Sequence, residues 1–151
     1  MKILVPWLML TLGLVLSGCA HLTNDGETNK QQSHFDPLRS EIGSLVADDS
    51  RRKQMIKSVD LLEHYLDIYQ ATTAQYHQRL KTLYAEYDSE RSEFGVAIEN
   101  YETQRIDLKK ALLKAHFELK AAAAVDEWSV LSEAEQTALN AFSEQFSGLE
   151  L

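Results

Sequence analysis

Cysteine occurs once in this chain of 151 residues, at Cys19. No intramolecular disulfide can form, and no thiolate cluster is available to hold a metal. Basic side chains are scarce too: 15 lysines and arginines stand against 23 acids, for a formal net charge of −8. Nucleic acids and anionic membrane surfaces recruit proteins through a basic field, so this balance argues against both as partners. Motifs that carry reactions are missing as well. The sequence has no P-loop, dinucleotide fingerprint, nucleophile elbow or HExxH, and its many carboxylates fall on amphipathic segments, where they form a solvated face. The expectation is a protein that is not an enzyme, with no metal and no small-molecule substrate.

What the chain does have begins with its first 18 residues. Lys2, an apolar run from Ile3 to Leu16 and the small residues Ser17 and Gly18 make up the three parts of an export signal. The run is too short for a membrane span, which needs about 20 apolar residues. Its end, Leu16-Ser17-Gly18-Cys19, resembles the lipobox of bacterial lipoproteins. That resemblance implies that a signal peptidase recognises Leu16, Ser17 and Gly18, that the leader 1–18 is removed, and that Cys19 carries covalent lipid, palmitate included, with no other cofactor. Several acyl chains on one residue anchor a protein stably where a single chain is marginal. In Gram-negative lipoproteins an Asp directly after the cysteine commonly retains the protein at the inner membrane. Here that position is Ala20, which implies the outer membrane, facing the periplasm. Loss of the leader takes Lys2 alone among the charged residues, so the mature chain is more acidic still.

Residues 19–34 hold a single large apolar side chain, Leu22, among Asn, Asp, Gly, Thr and Gln. This composition reads as a flexible tether, with a root-mean-square reach on the order of 20 Å. A helical domain follows over 35–151. Asp36-Pro37 suits a helix start, because Pro at the first position forfeits only an N–H that would be unpaired anyway. Phe35, Leu38, Ile42, Leu45 and Val46 then give a short amphipathic helix over 37–47.

The longest pattern runs through Met55, Val59, Leu62, Leu66, Tyr69, Thr73, Tyr76, Leu80, Leu83 and Tyr87, in steps of four and three. A second includes Phe94, Ile98, Tyr101, Leu108, Leu112, Ala115 and Leu119, widened by Ile106, Leu113 and Phe117. Polar residues separate the two, so the fold expected is all-α: a long antiparallel hairpin with arms over about 51–88 and 93–124. Ser132 and Glu135 have the spacing of a capping box, which predicts a last helix over 132–147 after a connector at Asp126-Glu127-Trp128-Ser129, the four helices packing as a small bundle. The alternative is one continuous helix in an oligomeric coiled coil, since Tyr87, Phe94, Tyr101, Leu108 and Ala115 extend one seven-residue series through the proposed turn.

Tyr65, Tyr69, Tyr76 and Tyr84 form a tyrosine-rich stripe, read either as core with hydroxyls at its edge or as an interaction surface. Asp60, His64 and Asp67 lie on neighbouring turns and could lend metal ligands, but surface ion pairs explain them more simply. His77 and His116 meet only in a particular hairpin register. Arg51-Arg52-Lys53 with Lys57 is the one concentrated basic patch, suited to lipid headgroups or to pairing with nearby acids.

Leu131-Ser132-Glu133-Ala134-Glu135-Gln136 is similar, over six residues, to the L-T-x-x-Q motif of Spy and CpxP-type periplasmic proteins, with Ser for Thr and Gln one place late. Two functions follow. The first is a lipid-anchored adaptor or scaffold of the cell envelope that binds another envelope protein or itself. The second, implied by the likeness, is a chaperone or envelope-stress sensor that holds clients or a ligand on a concave helical surface.

Overall fold

A computed structural model describes residues 33–147, which form four helices in the order α1 (Asp36–Leu45), α2 (Asp49–Ala85), α3 (Arg91–Ala122) and α4 (Val125–Ser147). The fold is the all-α bundle built on a hairpin. The leader, the lipobox and residues 19–32 of the tether lie outside the described residues.

α2 has 37 residues and α3 has 32, so at 1.5 Å per residue the arms extend about 55 and 48 Å. The seven-residue series that runs past Tyr87 does not produce a rod, because α2 ends at Ala85 and the chain turns over the next five residues. Glu86 donates its N–H to the Thr82 carbonyl and accepts from the Ser89 N–H. Glu93 then reaches back to accept from the Glu90 N–H at 3.0 Å, which satisfies a donor left unpaired at the start of α3. Tyr87, the last member of the first stripe, stands fully in solvent.

The two halves of the hairpin differ. At its base, α1 and α4 pack with the first turns of α2 and the last turns of α3, and the core gathers Phe35, Leu38, Ile42, Met55, Val59, Leu62, Ala115, Leu119 and Leu131. Burial of a leucine such as Leu119 stabilises by about 1.5–3 kcal/mol relative to exposure. Between Glu63 and Lys114, by contrast, Leu83 alone is buried. There the hairpin is two helices with no third layer among the described elements.

Several boundaries differ from expectation for identifiable reasons. α4 starts at Val125, seven residues ahead of the expected 132. Ala124 stands at its cap, its carbonyl accepting from the Trp128 N–H at 2.8 Å and its N–H donating to the Glu127 carboxylate at 2.8 Å. The carboxylate that caps the helix is thus Glu127, and the supposed connector 126–129 is the first turn. Ser132 and Glu135 lie inside α4, where the Ser132 hydroxyl donates to the Ser129 carbonyl and Glu135 turns into the core. The link from α3 to α4 needs only Ala123 and Ala124. At the other end, the described residues start at Ser33, whose hydroxyl donates to Glu63 and accepts from the Phe35 N–H, so Ser33 is bonded to the helical domain.

Candidate functional site

The stripe of tyrosines expected on α2 splits along the hairpin. Tyr76 stacks flat on Tyr101 of α3, with ring centroids 4.2 Å apart and planes 7° from parallel. The Tyr101 hydroxyl lies 3.2 Å from the Thr73 hydroxyl, which also donates to the Tyr69 carbonyl. Burial, and then the hydrogen bond to Tyr101, push the Tyr69 hydroxyl above its ordinary pKa. Tyr69 and Tyr76 therefore pack toward α3, Tyr76 through its ring and Tyr69 through a hydroxyl network shared with Tyr101 and Thr73. Thr73, the one polar member of the α2 stripe, is where that network closes. Tyr65 is half-buried beside His64, while Tyr84 turns outward against Phe94 and keeps 77% of its surface exposed. The four residues do not make one continuous strip.

Beside the Tyr76–Tyr101 stack the two arms leave an open groove of about 400 Å³. Gln75 and Arg79 of α2 face Val96, Asn100 and Gln104 of α3 across it. Arg79 reaches toward Glu93 at 3.6 Å, and both keep nearly half of their side-chain surface in solvent. Aromatic rings thus form a floor, with amides and a guanidinium as the rim. Such a lining offers donors and acceptors, and Ser92, which also borders the groove, donates its hydroxyl to the Glu90 carboxylate at 3.1 Å. The amides of Gln75, Asn100 and Gln104 carry no sequence signature. Only the register of the hairpin brings them to one side.

The base of the bundle is organised by charge pairs. Arg39 of α1 donates to Asp60 from Nε at 3.0 Å and from a terminal nitrogen at 2.8 Å, to Asp36 at 3.2 Å, and to Glu63. Burial raises the pKa of the Glu63 carboxyl, but hydrogen bonds from Arg39 and Ser33 outweigh it and hold the group below its ordinary value. Burial likewise works against the Arg39 charge, and its bonds to Glu63 and Asp60 raise its pKa in net. Asp60 is therefore engaged by an arginine. His64 and Asp67 are exposed, and among the described residues no group of three or more His, Cys, Asp and Glu side chains is placed to hold a metal.

The basic patch divides in the same way. Arg51 makes a two-pronged pair with Glu127 at 2.7 and 3.0 Å, tying the start of α2 to the start of α4. Arg52 and Lys53 both meet Asp49 at 2.7 Å, and hydrogen bonds from Lys53 and Arg52 hold the Asp49 carboxyl below its ordinary pKa. His116 approaches both carboxylate oxygens of buried Glu135, at 2.9 and 3.1 Å, with Trp128 packed edge-on at 5.7 Å. Lys120 lies 5.8 Å over the Trp128 ring, which seals the end of the bundle half-buried. With Tyr76 level with Tyr101, His116 lies about 24 Å along the hairpin from the level of His77, and the two do not meet.

The six residues from Leu131 to Gln136 lie within α4, with Leu131 wholly buried. No described helix is long and apolar enough to cross a membrane. Family models, curated proteins and solved structures yield no match to this chain. Its function is therefore argued from its own residues.

Proposed function

We propose that this chain is a non-catalytic adaptor of the bacterial cell envelope, anchored through lipid on Cys19 and binding a partner protein along the outer half of its hairpin. The observation that carries the reading is the groove beside the Tyr76–Tyr101 stack, where two long helices run together without a third. A helix from a partner completes such a pair, its apolar edge meeting Val96 and the tyrosine rings and its polar edge meeting Gln75, Asn100 and Arg79. Reach supports the same reading, since the outer half projects well beyond the core contacts at the base. The lipobox-like run Leu16-Ser17-Gly18-Cys19 supports the anchor, and Ala20 supports the outer membrane.

Two measurements test it. Cys19→Ser in the full chain is expected to move the protein from the membrane to the soluble fraction; equal fractionation of variant and parent would sink the anchor. A photo-crosslinking side chain at Asn100 is expected to give a discrete adduct in cells that the same group at exposed Thr137 does not. Recovery of uncrosslinked monomer from both positions would remove the adaptor reading.

A further inference from the structure

Four large apolar residues on α3 stay in solvent on a side of the helix next to its contact with α2. Ile98, Ile106, Leu113 and Phe117 keep 47%, 49%, 46% and 59% of their surface exposed. At 100° per residue they fall within an arc of about 100°, whose edge at Ile98 lies about 60° from buried Leu119 and whose edge at Phe117 lies about 160° from buried Ala115. The groove residues Ala97, Asn100 and Gln104 lie on another side of the helix again. No described element covers this face.

Charge along α3 is unevenly divided. From Arg91 to Asp107 the helix carries Glu93, Glu99, Glu102 and Asp107 against two arginines. From Leu108 to Ala122 it carries Lys109, Lys110, Lys114 and Lys120 against Glu118 alone. One half is acidic, the other basic. Such a helix is complementary to itself when reversed, as a two-fold axis requires.

We infer that the outer face of α3 pairs with the same face of a second copy of this chain, antiparallel, with the two-fold axis at Ile106. In that register Ile106 meets the partner's Ile106, and Ile98 meets the partner's Leu113. Phe117 falls opposite the partner's Gly95, which has nothing within 4 Å of the position a Cβ would take and so leaves room for a ring. Glu99 faces the partner's Lys114 on one flank, and Glu102 faces the partner's Lys109 within the arc itself. Apart from the Ile106 pair on the axis, each of these contacts occurs twice by symmetry. In the free chain Glu102 is held by Arg105 at 2.7 Å and Lys114 reaches Glu118 at 3.8 Å. Exposed pairs of this kind contribute little and are readily exchanged. A parallel pair would instead set Glu99 on Glu99 and Lys114 on Lys114.

The contact from Gly95 to Phe117 is about 33 Å of helix, at the small end of specific interfaces. The pairing goes beyond the adaptor reading and uses a different side of α3 from the groove, so either can fail while the other stands.

The test places one cysteine, Ile106→Cys, in the full chain and treats cells with a short bismaleimide, with the parent chain as the baseline for Cys19 itself. Gln75→Cys, in the groove, is the control for random collision. A dimer-sized product at position 106 at least tenfold above that at position 75 is expected. On the Ile106→Cys background, Glu99→Lys and Lys114→Glu are each expected to lower the yield severalfold, and the two together to restore it. Both positions are exposed and the Lys114 ion pair stays within α3, so the fold is retained, as circular dichroism of each variant checks. Equal yields at positions 75 and 106, or single variants that the double variant fails to rescue, overturn the pairing. A groove adduct from Asn100 that persists in the charge variants would show that the adaptor contact is separate.

Discussion

Glu63 and Arg39 join the shortest helix to the longest, and their chemistry makes the joint sensitive to acid. The folded-state pKa of Glu63 lies below its ordinary value, so folding favours the ionised form. The resulting stabilisation is complete above the ordinary carboxylate range and is lost as pH falls through the depressed folded value. Thermal unfolding of Glu63→Gln should therefore show a lower Tm than the parent at neutral pH, with the difference shrinking below about pH 4. A pH-independent difference would assign the effect to shape alone. Arg51 and Glu127 form the other long-range pair, with Glu127 mostly buried at 12% side-chain exposure. Arg51→Ala leaves that carboxylate without its guanidinium and should cost about 1–3 kcal/mol, read from denaturant unfolding. These pairs were poorly legible in the sequence for a physical reason. Arg39 and Glu63, or Arg51 and Glu127, are far apart along the chain and carry no spacing rule, whereas Ser132 and Glu135 had the local spacing of a cap but sit where α4 is already under way.

At the scale of elements, periodicity carried most of the information. Steps of four and three located α2 and α3 to within about two residues, because burial against a neighbour imposes that period. The turn between them was harder to find, since Tyr87 keeps the seven-residue series although it is fully exposed. Glu86 bonds back to the end of α2 while Glu90 and Glu93 cap the start of α3, and acidic residues look the same on a helix face as at a helix end. The groove was illegible for a different reason: Gln75, Arg79, Asn100 and Gln104 become neighbours only once the register is set by Tyr76 on Tyr101. The unequal burial of the two halves also predicts unequal opening. Amides of α2 and α3 between about residues 67 and 107 should exchange with solvent well before those near Val59 and Leu119, because few apolar contacts oppose their separation. Hydrogen exchange with peptide-level resolution checks this, and uniform protection along both arms would contradict it.

For the whole molecule, the sequence conveyed the all-α class and the small bundle but not the arrangement of its ends. α1 packs against α4 as well as α2, and His34 meets Gln145 at 3.3 Å. Nothing local signals that contact, which depends on the hairpin first bringing the base of α3 back to the base of α2. The hairpin itself is built from neighbours in the chain, joined by a five-residue turn. Closure of the base, by contrast, spans nearly the whole domain, and the entropic cost of closing a loop grows with the logarithm of its length. Synthesis from the N-terminus therefore delivers α1 long before its partner exists. Phe35, Leu38 and Ile42 can meet α2 early but reach their full burial only when α4 has emerged, so the last of the four helices completes the shelter of the first.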